Sequence, residues 1–303
     1  MKKILSLGFS AMLIAQTAVG GPIWTPTNYG IGADAEVRDH QPVTNFGAST
    51  EIASRVRNDV PLGNANDGND RDSAIYVKID LTDRVMPADG MTAFRLTYRN
   101  NNLNGSRIQD TVTPDPNVRT GMAIYGLNNA ALGNWTESTI TYLTAPGITF
   151  DGDVGTKDFN TSLTFLGVAE FPAIGTQNTL PIGGSLIFKS ANLDTFVSNA
   201  INGGAGSVTL VASTLHGGDA PFGNWRNFNY LFNPKEQVTL NNDANYDSDT
   251  TDPNNALGGP WSLADNSNGD FSPALLLGIP EPTSLALMGA AAIGMLLNRR
   301  RLA

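Results

Sequence analysis

The stretch SAIYVKIDL, residues 73–81, places Ile75, Val77, Ile79 and Leu81 on one side of an extended chain and Tyr76, Lys78 and Asp80 on the other. A period of two marks a β-strand with one buried face, and it fixes which side of the strand meets the core. The same alternation runs through TAFRLTYR, residues 92–99, where Phe94, Leu96 and Tyr98 oppose Arg95, Thr97 and Arg99. Further strands are expected at 34–38, 51–57, 122–127, 185–189, 207–213, 230–232 and 274–278. Turn-forming Gly, Asn and Pro separate them, and 32 glycines and 17 prolines in 303 residues suit many short strands. The pattern predicts an all-β chain, a jelly-roll-like two-sheet β-sandwich.

One segment departs from that rhythm. In ANLDTFVSNAINGG the apolar residues Leu193, Phe196, Val197, Ala200 and Ile201 recur at helical spacing, with Asn192 as the expected N-cap and Gly203 as the stop. So short a helix is marginal in isolation, so it should pack across one end or edge of the sandwich. Two polar tracts, 58–72 and 241–255, lack apolar periodicity and read as surface loops.

The termini differ from the body. MKK followed by the apolar run ILSLGFSAMLIAQTAV and small residues at Ala18, Val19 and Gly20 reads as a signal peptide over 1–20, a hydrophobic helix removed on export. At the other end Pro280, Glu281 and Pro282 precede an apolar run, 283–297, and then Arg299, Arg300 and Arg301. That run makes a helix of roughly 22 Å against a hydrocarbon core of about 30 Å. It is short for a permanent anchor and sufficient for transient membrane insertion, with the arginines on the cytoplasmic side. The organisation expected is a signal segment (1–20), one sandwich domain (22–278), and a terminal sorting segment (279–303) joined through a short linker.

The chain has no cysteine, so an exported fold must hold without disulfides. Without the two terminal segments, the 19 basic and 28 acidic residues of the full chain become 14 and 27, a net charge of −13. Such a surface repels nucleic acid and other polyanions.

The tail resembles the PEP-CTERM sorting signal of exopolysaccharide-producing bacteria: Pro280-Glu281-Pro282, a short hydrophobic helix, and the basic cluster Arg299 to Arg301. The resemblance implies recognition by an exosortase-type membrane enzyme and export to the cell surface or extracellular matrix. The body looks like a DNRLRE-type β-sandwich, a family related to carbohydrate-binding modules. The stretches that carry this likeness are ADAEVRD, TNFGASTEIASRV, SAIYVKIDLT, AIYGL with NWTESTITYLTAPG, ANLDTFVSNAINGG with SVTLVAS, FNPKEQ and SPALLLGI. Tyr142 stands where that pattern has a second tryptophan.

Chemistry-bearing residues are sparse. The two histidines, His40 and His216, sit among turn residues with no nucleophile motif and no metal spacing, so no catalytic residue is assigned. Paired carboxylates for glycoside cleavage arise by chance among 28 acids, and Glu137 in NWTES reads as a turn-stabilising carboxylate. Calcium is the candidate ion, for which Asn66, Asp67, Asp70 and Asp72 supply hard oxygen ligands; the same tract reads as a solvated turn. Trp225 with Arg226 and Asn227 forms a candidate glycan rim, since sugar sites pair an aromatic platform with a few polar groups; partial burial of Trp225 is the alternative. The expectation is an exported, non-catalytic surface or matrix protein that binds exopolysaccharide, a neutral glycan fitting the charge. The rivals are a polysaccharide lyase or glycoside hydrolase on the same scaffold, and an adhesive protein without glycan affinity.

Overall fold

The computed structural model of the chain describes residues 23–57, 71–86, 90–97, 121–152, 158–170, 185–215, 227–235 and 272–280. Along them run β1 (Ile23–Pro26), β2 (Ala33–Arg38), β3 (Ile52–Arg57), β4 (Arg71–Asp80), β5 (Gly90–Thr97), β6 (Gly121–Leu127), β7 (Leu163–Glu170) and β8 (Ser185–Phe188). The helix α1 (Ala191–Asn202), β9 (Ser207–Thr214), β10 (Asn227–Phe232) and β11 (Ala274–Pro280) follow. A four-stranded sheet has the order β1-β11-β5-β8, and a larger sheet has the order β10-β3-β4-β9-β6-β7, with β2 also joined to β4. The fold is the expected all-β sandwich. The two hydrophobic terminal segments lie outside the described residues, among which no helix is long and apolar enough to cross a membrane.

The main core fills the space between the sheets. Ile75, Val77 and Ile79 of β4 meet Phe94 and Leu96 of β5, and Leu275 and Leu277 of β11, all essentially without solvent exposure. Each such side chain contributes about 1.5–3 kcal/mol by leaving water. Helix α1 adds Leu193 and Val197 to this core, with Phe196, Ala200 and Ile201 packed at its margin. Its N-cap is Ser190, not Asn192: the Leu193 N–H donates to Ser190 Oγ at 3.0 Å. Asn192 already lies in the first turn, where its amide reaches Leu166 O at 3.4 Å. Gly203 is the C-cap, as expected.

The expectation of one buried face fails at β4. Tyr76, Lys78 and Asp80, the supposed solvent side, are buried as fully as their apolar neighbours. A second core explains this: Trp135, Ile140, Tyr142 and Ala145, from the chain between β6 and β7, cover Tyr76 together with Ala33, Ala35 and Val37 of β2. Tyr76 and Trp135 meet edge to face, with ring centroids 6.0 Å apart.

Burial of that face requires every polar group on it to find a partner. β2 and β3 lie along the same edge of β4, β2 opposite residues 73–78 and β3 opposite residues 71–72. Where β3 leaves the ladder, side chains replace backbone pairing: Ser73 Oγ accepts from Arg55 N at 2.8 Å, and Ser54 Oγ accepts from Thr214 N at 2.7 Å. Glu36, buried between β2 and β3, takes both arms of Arg38 at 2.7 and 2.9 Å and the Ala53 N–H at 3.1 Å.

Two strands went unforeseen. β1 is four residues ending in proline, and β7 reads LTFLGVAE, whose fully buried positions Leu163, Leu166 and Ala169 fall three apart. A bulge opposite Ile124 and Tyr125 shifts the phase of β7, so no period of two survives in its sequence.

Asp80, at the end of β4, accepts from Ile31 N at 2.9 Å and from Thr82 N at 2.7 Å. Gly30, at φ +57, makes that approach possible, since a Cβ there would lie 1.7 Å from Asp80 Oδ2. Gly30→Ala is expected to cost about 2 kcal/mol or more, from the left-handed backbone and the displaced carboxylate together. Urea unfolding of the two proteins measures it, and an unchanged midpoint would show that the turn does not depend on glycine.

Candidate functional site

A cleft of about 690 Å³ opens where the turn before β2, the 45–48 turn and the 133–138 segment meet. Its polar groups come from strands and loops far apart in sequence. Glu137 Oε1 accepts the Asp34 N–H at 2.8 Å and the Lys235 ammonium at 2.6 Å. Lys235 in turn donates through Nζ to Gly32 O at 3.0 Å, and through its backbone N–H to the Asp34 carboxylate at 3.2 and 3.3 Å. Thr27 Oγ1 donates to Asp34 Oδ2 at 2.6 Å.

The 133–138 segment is fastened from the opposite side as well. Asn45 donates to the carbonyls of Glu137 and Ile140 at 2.5 and 2.6 Å. Gly47 lies so close to the Glu137 backbone that a Cβ would come within 2.0 Å of its carbonyl oxygen. Beneath it, Lys78 projects from β4 with Nζ 4.8 Å from the Trp135 ring centroid and donates to Trp135 O. Burial pushes the Lys78 ammonium below the ordinary lysine range; Lys235 adds to this and Glu137 opposes it. The Trp135 indole N–H donates to Thr209 Oγ1 at 3.0 Å, which closes its polar edge.

Four stretches quoted from the sequence therefore converge here: ADAEVRD through Asp34, TNFG through Asn45 and Gly47, NWTES through Trp135 and Glu137, and FNPKEQ through Lys235. In sequence Glu137 reads as a turn-stabilising carboxylate, and nothing there connects it to Lys78 or Lys235, whose charges look like those of solvent-facing residues. The polar groups named here are paired with one another, and Glu137 carries a salt bridge to Lys235.

Of the expected site residues, Asp72, Asn227 and Pro280 are among the described residues. Asp72 is not in a loop: it lies in β4, opposite Val56 of β3, is buried, and donates its N–H to Asp39 Oδ1 at 2.8 Å. Asn66, Asp67 and Asp70 lie outside the described residues, among which no three metal-ligating side chains converge. Asn227 opens β10, paired with Arg57 of β3, and so belongs to an edge strand and not to a loop rim. Trp225 and Arg226 lie outside the described residues, as do Glu281, Pro282, Arg299, Arg300 and Arg301.

Pro280 has a place in the sheet. It ends β11 opposite Gly90 of β5, so the strand runs across the expected 278/279 boundary without the expected linker. On the other side of β11, Ile23 of β1 faces Leu277. The chain thus enters β1 and leaves β11 at the same end of the small sheet, on adjacent strands about 4.8 Å apart.

The family described as the PEP-CTERM protein-sorting motif matches residues 278–301. This motif marks the chain for export to the cell surface, sorted by an exosortase-type membrane enzyme. The match is confined to the tail and leaves the sandwich unassigned. No curated protein matches the chain.

A second group of acids surrounds Tyr142, whose O–H lies 3.4 Å from Asp158 Oδ2. Burial, then the neighbouring Asp151 and Asp39 charges, push the Asp158 carboxyl up to about 6. Between the ordinary value of 3.8 and about 6, the folded chain keeps a proton that the unfolded chain has lost. This contribution to stability is therefore full below pH 4 and fades as the pH rises towards 6. Asp158→Asn is expected to flatten that decline and to raise Tm at pH 7. Thermal melts of both proteins at intervals from pH 4 to 7 test it, and parallel curves would refute it.

Proposed function

We propose that the chain is a non-catalytic protein of the cell surface or extracellular matrix, that its signal segment and sorting tail are both removed, and that its sandwich binds polysaccharide. The observation that carries this reading is the sorting motif beginning inside β11, with no spacer between fold and tail. The adjacent exits of β1 and β11 support it, because segments 1–20 and 283–297 then reach one membrane from one end of the sandwich. An apolar tail too short for an untilted span suits a segment that docks, is read at Pro280, Glu281 and Pro282, and departs.

The glycan reading draws on the likeness to DNRLRE-type sandwiches and on Trp225, Arg226 and Asn227 leading into β10. A mature charge of −13 favours a neutral polysaccharide over an anionic one. Calcium held by Asn66, Asp67 and Asp70 would tie down the chain that leads into β4, with Asp72 committed to the strand. One observation favours an enzyme instead: Asp158, held at about 6 beside Asp151, has the raised carboxyl that glycoside hydrolysis asks of its acid.

The test combines intact mass and glycan retention. The extracellular protein should lack Arg299, Arg300 and Arg301, and the soluble sandwich should be retained by a neutral polysaccharide equally at low and high salt, without new chain ends. Trp225→Ala should weaken retention about tenfold or more, as expected for loss of an aromatic anchor. Tight, salt-sensitive retention by an anionic polysaccharide would contradict the charge reasoning. New reducing or unsaturated ends that disappear in Asp158→Asn would make the protein an enzyme.

A further inference from the structure

Strand β11 is held differently along its length. From Ala274 to Leu277 it is the inner strand of the small sheet: β1 pairs with residues 274–277 on one side, and β5 pairs with residues 274–276 on the other. The register with β5 then breaks between Leu276 and Ile279, and within that break Gly278 adopts φ +80, a conformation open to glycine with little strain. Beyond it, Ile279 and Pro280 face Met91 and Gly90 of β5, while among the described residues the register with β1 ends at Leu277. Proline also has no N–H to give to a ladder. The sorting motif begins at Gly278, inside the register break that divides β11 from its last two residues.

An enzyme that cuts a polypeptide must surround several residues of extended chain, and a strand inside a sheet has both backbone edges occupied. Cleavage of a folded substrate therefore tracks the population of a locally opened state. We propose that Gly278 is the hinge of that opening: the end of β11 from Ile279 onward peels from β5 into the exosortase-type enzyme, while the strand up to Leu277 stays in the sheet. This rests on the reading that the tail is removed. The cut breaks one peptide bond; the acyl part passes to water or to an amine acceptor, and the tail leaves with a free amino group. The bulge thus separates the part of β11 that holds the sandwich together from the part that is presented for processing, so the domain can fold before its tail is lost.

The absence of native cysteine allows a clean test in the full chain within its exporting cell. Residues opposite each other in an antiparallel pair lie within reach of a disulfide. M91C with I279C closes a bond beyond the hinge, and A93C with L276C closes one before it. Thiol labelling reports bond formation, and intact mass follows tail removal over time. The M91C/I279C protein should lose its tail about tenfold more slowly or not at all, and a thiol reductant should restore the normal rate. The A93C/L276C protein should be processed like the parent.

Equal processing of both oxidised variants would overturn the hinge, as would a block in both that reductant relieves, because opening would then extend past Gly278. A block that persists after reduction would likewise count against it, since the substitutions and not the bond would be responsible. A parent chain that keeps its tail would overturn the reading of tail removal itself, a result separate from any difference between the variants.

Discussion

Strand β4 has no face towards water, and the arrangement of the larger sheet follows from covering it twice. One side carries Ile75, Val77 and Ile79 into the space between the sheets; the other carries Tyr76 and Lys78 under the chain that joins β6 to β7, and Asp80 against the turn before β2. A strand buried on both sides gains apolar contact but must bring its polar side chains with it. Lys78 sets its amine beside the Trp135 ring and donates to Trp135 O, and Asp80 accepts from Ile31 and Thr82. Burial alone would raise the Asp80 carboxyl; the Thr82 and Ile31 hydrogen bonds and the Arg84 charge outweigh it and hold it below the ordinary range.

Glu137, Asp34 and Lys235 fasten this cover in a reciprocal way. The Glu137 carboxylate receives the backbone of residue 34, and the Asp34 carboxylate receives the backbone of residue 235, whose ammonium returns to Glu137. Removing one member leaves a charge facing a partner that has lost its complement, which costs more than the pair contributes when intact. The sandwich has no disulfide, so such links perform the long-range closure that cross-links perform in many exported domains. They join residues separated by 103 and 201 positions.

Period-two alternation made nine of the strands legible, because one apolar face meets the main core in eight of them and the second core in β2. It misread what lies opposite that face. Lys78 and Asp80 look like solvent residues in sequence, and only long-range contacts cover them, Lys78 with Trp135 and Asp80 with the turn at Ile31. β7 was hidden by its bulge, and α1 begins at Ala191, two residues before the expected start, so Ser190 and not Asn192 caps it. The cleft was illegible for a different reason: its residues are individually ordinary, and only long-range contacts bring Asp34, Glu137 and Lys235 together. The tail was the most readable element, since its three parts are contiguous and owe nothing to tertiary structure.

That contrast bears on how the two halves of the protein relate. A sorting tail that works as a linear signal could in principle follow any domain on a flexible spacer, yet here it continues a strand in the interior of a sheet. The sandwich is thereby held at the membrane with its β1 and β11 ends nearest the lipid, on the reading that the tail inserts. An acidic domain in that position is repelled by any anionic surface beside it. The repulsion acts on the whole domain while the apolar segment holds only its end, so the sandwich should stand away from the surface instead of lying on it.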